Sequence, residues 1–182
     1  MSEQDITDLV RSDNWMMAVL QAADTLDFPD WMIGAGFIRN KVWDSLHNIK
    51  RRVADTSDID LIYFDLNNVS EDADRNLSIK MGGKLGLQWE IVNQAYTHKW
   101  HGHNQYTHTA EGMSHWVETA TCVAVTIKDN NPVIIAPHGI DDLVNLIVRP
   151  SPSRTQDLGL FKQRIQSKEW LKKWPRLRVI ID

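Results

Sequence analysis

Apolar residues along this chain switch between two spacings, and the switches mark out its elements. From Asp5 to Leu26, Ile6, Leu9, Val10, Met17, Leu20 and Ala23 fall near helical spacing and stop at Asp27-Phe28-Pro29, which predicts one opening helix. Trp31-Met32-Ile33 is a short apolar run ending at glycine, as a buried strand does, and Ile38, Val42 and Leu46 then recur every four residues, so a helix runs from Gly36 to about His47. Ile59 to Leu66 reads as a strand, preceded by the turn-prone Ala54-Asp55-Thr56-Ser57. Ser70 with Glu71, Asp72 and Asp74 predicts an N-cap and a polar helix ending near Gly82-Gly83. Leu87 to Val92 is a further strand, followed by a polar, aromatic, histidine-rich stretch and a short helix around 110–116. Thr119 to Ile127 and Val133 to Ala136 flank Lys128-Asp129-Asn130-Asn131-Pro132, which predicts a hairpin. Helices are expected at Asp141 to Val148 and Leu158 to Trp174, separated by Pro150-Ser151-Pro152. Interleaved strands and helices give an α/β or α+β class with a small mixed sheet flanked by helices.

At 182 residues, with 42% hydrophobic and 24% charged, the expected organisation is a single domain over 1–182. No apolar run nears the ~20 residues a membrane helix needs. Met1-Ser2-Glu3-Gln4-Asp5 lacks the basic and apolar pattern of a secretory signal, so the reading is cytoplasmic. The single cysteine, Cys122, cannot form an internal disulfide and reads as a buried, inert thiol. Charge is uneven: residues 1–148 carry 11 Lys/Arg against 21 Asp/Glu, residues 149–182 carry 9 against 3. So acidic a body argues against nonspecific duplex DNA binding, and the basic tail reads as a solvated face complementing it.

Three features could carry chemistry. Asp58-Ile59-Asp60 opens an apolar strand, where side chains two apart share a face and can reach the same ions. Asp72-Ala73-Asp74 has the same pattern on a helix, where residues two apart diverge. Gly34-Ala35-Gly36 leads from a strand into a helix, whose first N–H groups form an anion site, with Arg39 a few residues on as an added cation. Glu90 stands between apolar neighbours in a strand and completes a three-carboxylate cluster if that strand adjoins the Asp58 strand. Asp65, at an odd offset, falls on the other face.

Taken in order, Gly34-Ala35-Gly36-Phe37-Ile38-Arg39, then Asp58-Ile59-Asp60-Leu61-Ile62-Tyr63-Phe64-Asp65, then Trp89-Glu90-Ile91-Val92-Asn93-Gln94, these segments resemble the polymerase-beta nucleotidyltransferase superfamily. They are most similar to a bacterial family of predicted nucleotidyltransferases within it. Glu118-Thr119-Ala120-Thr121, the segment from Ala136 to Leu143 and Trp174-Pro175-Arg176-Leu177 extend the likeness. The resemblance implies Asp58, Asp60 and Glu90 as catalytic residues and ligands of Mg2+ or Mn2+, with Gly34, Ala35, Gly36 and Arg39 around the nucleotide. The turn departs from the superfamily's usual Gly-Gly or Gly-Ser at Ala35, and the third acid is Glu rather than Asp. The implied reaction moves a nucleoside monophosphate from a nucleoside triphosphate to an unidentified small or macromolecular acceptor. The alternative is a non-catalytic nucleotide-binding regulatory or interaction protein of the same fold.

His98, His101, His103, His108 and His115 crowd eighteen residues. A zinc site from the first three lacks a completing cysteine or acid, so the stretch reads better as a wall of the acceptor pocket, with Trp100, Tyr106 and Trp116 offering rings to stack on.

Overall fold

The computed structural model describes residues 1–50, 58–82, 86–156 and 158–181. The turn expected at Ala54–Ser57 and the second glycine of the pair at 82–83 lie outside them. Two helices open the chain: α1 (Glu3–Arg11) and α2 (Asn14–Asp24). A single helix was expected there. The break has a local cause, because the Asp13 carboxylate accepts hydrogen bonds from the Trp15 and Met16 N–H groups and so starts a new helix.

A central sheet has the order β3-β2-β1-β4-β5, from β1 (Met32–Ile33), β2 (Ile59–Tyr63), β3 (Trp89–Asn93), β4 (Ala124–Lys128) and β5 (Asn131–Ile135). Only β2 and β3 run parallel; the other pairs are antiparallel, so the sheet is mixed as expected. Between β1 and β2 lies α3 (Gly36–Leu46), and α4 (Glu71–Gly82) carries the chain over from β2 to β3. The β4–β5 hairpin turns on Asp129 and Asn130, both at positive φ, as a two-residue turn matching strand twist requires. Pro132 is tolerated because β5 is an edge.

Alternation along the strands divides the sheet's two faces. Ile33, Ile59, Leu61, Tyr63, Trp89, Ile91 and Val125 join the main core with α1, α2 and α3, where residues such as Ile6, Leu20 and Phe37 are fully buried. Burying side chains of this size contributes roughly 1.5–3 kcal/mol each. The other face holds a thinner cluster of Met32, Ile62, Met113, Cys122 and Ala124. It is covered by α5 (Gln94–His101) and α6 (Thr109–Ser114). Helix α5 occupies the front of the histidine-rich stretch, where no element was expected; the Asn93 side chain caps it by accepting from Ala95 N–H.

The C-terminal third is more broken than its sequence pattern suggests. Only α7 (Asp141–Val144) is helical in the segment expected to be helical to Val148, and β6 (Ile147–Val148) pairs with β7 (Arg178–Val179) in a separate parallel ribbon. The last expected helix divides into α8 (Gly159–Ser167) and α9 (Trp170–Lys173) at Glu169, whose φ is 52°. Trp170 and Trp174 from this region pack edge-on against Trp43 of α3, and the Trp174 indole donates to the Asp44 carboxylate at 2.7 Å. Among the described residues no helix is long and apolar enough to cross a membrane.

Candidate active site

Parallel pairing of β2 with β3 sets Asp60 opposite Glu90. Two residues earlier, Asp58 points to the same face as Asp60 by strand alternation. One oxygen from each of the three carboxylates lies within 4.8 Å of the others. Among the described residues no other three His, Cys, Asp or Glu side chains bring ligand atoms so close, those of His98, His101 and His103 included. Three hard oxygen donors at this spacing suit Mg2+ or Mn2+.

The electrostatics fit a site that wants a cation. Burial, and then the charges of Asp58 and Glu90, push the Asp60 carboxyl up to about 7. Glu90 is raised as well, by burial and by Asp58. Among the described residues nothing donates a hydrogen bond to the Asp60 carboxylate to relieve this crowding.

The glycine turn adjoins the carboxylates through the sheet. Gly34 N–H donates to the Asp60 carbonyl at 3.0 Å, so this one donor is already committed. Phe37 N–H closes the turn onto the Gly34 carbonyl, with Ala35 between them at φ 51°, ψ −123°. That conformation belongs to the first central residue of a type II′ turn, normally glycine, and costs an alanine about 1–3 kcal/mol. No side chain caps the start of α3, so apart from Phe37 N–H its first donors, from Gly36 and Ile38, have no side-chain acceptor at the turn. Gly34 is required by packing, since a Cβ there would meet the Trp116 ring at 2.9 Å.

Arg39 sits behind this turn. It is only 7% exposed, stacked over Trp170 at 4.5 Å and Trp43 at 5.3 Å, and donates to Thr121 Oγ1 and Asn40 Oδ1. Burial pulls its guanidinium down to about 10, against the pull of Glu118, Asp60 and Asp58. Thr121 in turn donates to the fully buried Glu118, and Glu118 pairs with Arg164 at 2.7 Å. The basic tail is thus partly built into the body: Arg164 pairs with Glu118 and Arg149 pairs with Asp142.

Two pockets open from Asp60. One, of about 160 Å³, lies toward α5 and α6 between Glu90, Gln94, Thr97, Tyr106, His115 and Trp116. The other, of about 240 Å³, lies toward the turn and is lined by Ala35, Thr121, Arg154 and Arg164, sharing His101, His115 and Trp116 with the first. The histidine-rich stretch is therefore a pocket wall, where His103 bonds the Tyr106 hydroxyl and Tyr106 stacks on His115. Arg154 and Arg164 were missed as pocket residues because their approach depends on the chain's return after Pro152, which no local spacing encodes.

A nucleotidyltransferase family model matches residues 21–179. No curated protein matches the chain in sequence. Among solved structures, an NMR structure described as revealing a CCA-adding enzyme head domain is 29% identical, with a TM-score of 0.88 over 100% of this chain and 97% of that one. A CCA-adding enzyme in complex with CTP is 15% identical with a TM-score of 0.59, over 99% of this chain and 43% of that one. A Thermotoga maritima CCA-adding enzyme with tRNA is 17% identical with a TM-score of 0.57, over 99% and 42%. This chain thus spans under half the length of the latter two, and at these identities the likeness is one of fold.

Proposed function

The chain belongs to this nucleotidyltransferase family, and from that premise we propose that it transfers a nucleoside monophosphate from a nucleoside triphosphate to an acceptor hydroxyl, using Asp58, Asp60 and Glu90 with Mg2+ or Mn2+. The convergence of those three carboxylates beside an uncapped helix start carries the reading. Structural relatives described with CTP and with ATP support a triphosphate donor. The cation, when bound between the carboxylates, would offset charge on the attacking and leaving oxygens.

In this scheme the open N–H groups around Ala35 and Gly36 meet phosphate oxygens, and Arg39 adds positive charge from beneath through Thr121. The acceptor occupies the pocket between Glu90, α5 and α6, because Glu90 faces that pocket and not the one at the turn. Its oxygen attacks the α-phosphorus and forms the new P–O bond. The bond to the β-phosphate oxygen breaks, pyrophosphate leaves, and the acceptor proton passes to Glu90 or to water. Glu90 also lines, with Asp58, a wider cleft of about 650 Å³, which gives a larger acceptor room beside the same carboxylates.

The double variant Asp58→Asn, Asp60→Asn tests this. Metal-dependent pyrophosphate release across a panel of acceptors should fall at least about 10³-fold while the circular dichroism spectrum is unchanged. Release that survives the substitutions would end the catalytic assignment. Magnesium-dependent nucleotide binding by the wild type with no pyrophosphate under any acceptor would leave a regulatory module in its place.

A further inference from the structure

The turn-side pocket contains a positive charge that has no counterion among the described residues. Arg164 is committed to Glu118, and Arg39 lies behind Thr121. Arg154 differs from both. Among the described residues it has no carboxylate at ion-pair distance, its one side-chain hydrogen bond is with His101 Nδ1 at 3.4 Å, and its Nε is buried without an acceptor. A guanidinium held this way in a pocket wall favours an anion, because an unpaired buried donor carries its desolvation cost until something accepts from it. The surroundings register the same charge: after burial, Arg154 is a cause of the lowered proton affinity of His101, His103 and His115.

Position supplies the rest. Arg154 and the Asp60 carboxylate line one pocket, with Ala35 at the turn between the strand and α3. We propose that Arg154 grips the β- and γ-phosphates of the nucleoside triphosphate, so that this pocket is a triphosphate and pyrophosphate site and Arg154 the residue that distinguishes a triphosphate from a monophosphate. The inference rests on the transfer reaction proposed above and adds the group that holds the leaving end. A guanidinium suits the task, since its fork of N–H donors can take two phosphate oxygens at once. His101, its proton affinity lowered by burial and by Arg154, supplies a ring nitrogen on the same wall. Because the leaving pyrophosphate keeps both phosphates, it would stay in the Arg154 pocket after transfer and compete with the next triphosphate.

The experiment follows binding by tryptophan fluorescence and calorimetry in magnesium, with inorganic pyrophosphate, each of the four common nucleoside triphosphates and the matching monophosphates as probes. Arg154→Gln should weaken pyrophosphate and triphosphate binding about 10- to 100-fold, the worth of one charged hydrogen-bonding group, and leave monophosphate binding within about twofold. Arg154→Lys, which keeps a point charge, should recover part of the loss, and it serves as the test variant if the glutamine protein does not fold. Pyrophosphate binding by folded Arg154→Gln within about twofold of wild type, in a protein whose nucleotide binding is abolished by Asp58→Asn with Asp60→Asn, would overturn the Arg154 assignment and leave the transfer reading standing. Wild-type protein that binds neither pyrophosphate nor any nucleotide would overturn both. Equal weakening of mono- and triphosphate would also overturn it, since the contact would then lie with the nucleoside.

Discussion

Asp72-Ala73-Asp74 and Asp58-Ile59-Asp60 are the same pattern in sequence and opposites in the fold. On α4, Asp72 points to solvent and pairs with Arg75, while Asp74 is 3% exposed and accepts hydrogen bonds from the hydroxyls of Tyr63 and Tyr96 and from Asn93 N–H, all at 2.6–2.7 Å. One buried acid thereby ties α4 to β2, to the end of β3 and to α5. At the other pair, Asp60 meets like charge from Asp58 and Glu90 instead of donors. A carboxylate surrounded by donors holds a fold together; one surrounded by carboxylates stores unfavourable charge that a cation can relieve.

The contrast can be broken at three levels. Asp74→Ala leaves three donors without their acceptor and should cost about 3–5 kcal/mol of unfolding free energy in urea, the largest effect of the set. A loss under about 1 kcal/mol would show that the tyrosines find water instead. Asp60→Asn should do the reverse and stabilise the metal-free protein by about 1–3 kcal/mol at pH 8. The sign follows from the raised carboxyl: between the usual carboxylate range and about 7, the folded protein keeps a proton that the unfolded chain has released. Wild-type stability should therefore decline as pH rises through that window, and the decline should be largely absent in Asp60→Asn. A wild-type stability flat from pH 4 to 7.5 would refute it. Asp72→Asn, at the exposed pair, should shift stability by less than about 0.5 kcal/mol, and a larger change would mean that the α4 surface is engaged.

These same residues show what could be read in advance. The strand period placed Asp58 and Asp60 on one face, and the helix period separated Asp72 from Asp74, because both depend only on near neighbours. Glu90 needed one further step, the adjacency of two strands, and the parallel β2–β3 pairing meets it. The role of Asp74 was not legible, since its partners lie 11, 19 and 22 residues away and become neighbours only once α4 has crossed the sheet. In the fold, a small mixed sheet was expected from interleaved elements, and the central sheet is mixed. The α1–α2 break and the α8–α9 break were not, because hydrophobic spacing runs on through Asp13 and Glu169 while a side-chain cap at one and a left-handed backbone at the other interrupt it. The β6–β7 ribbon joins residues some thirty apart, and two-residue strands carry no periodicity to detect. Arg39 was read as a candidate cation near the turn; that it would be roofed by Trp170 and Trp43 could not be foreseen from α3 alone.

The hydrogen bond from Gly34 N–H to the Asp60 carbonyl has a mechanical consequence. It extends the β1–β2 ladder by one rung beyond Ile33 and Leu61, so the loop ahead of α3 and the strand end bearing Asp60 are clamped as one piece. The sheet thus fixes the separation of the Gly34 turn and Asp60 on folding.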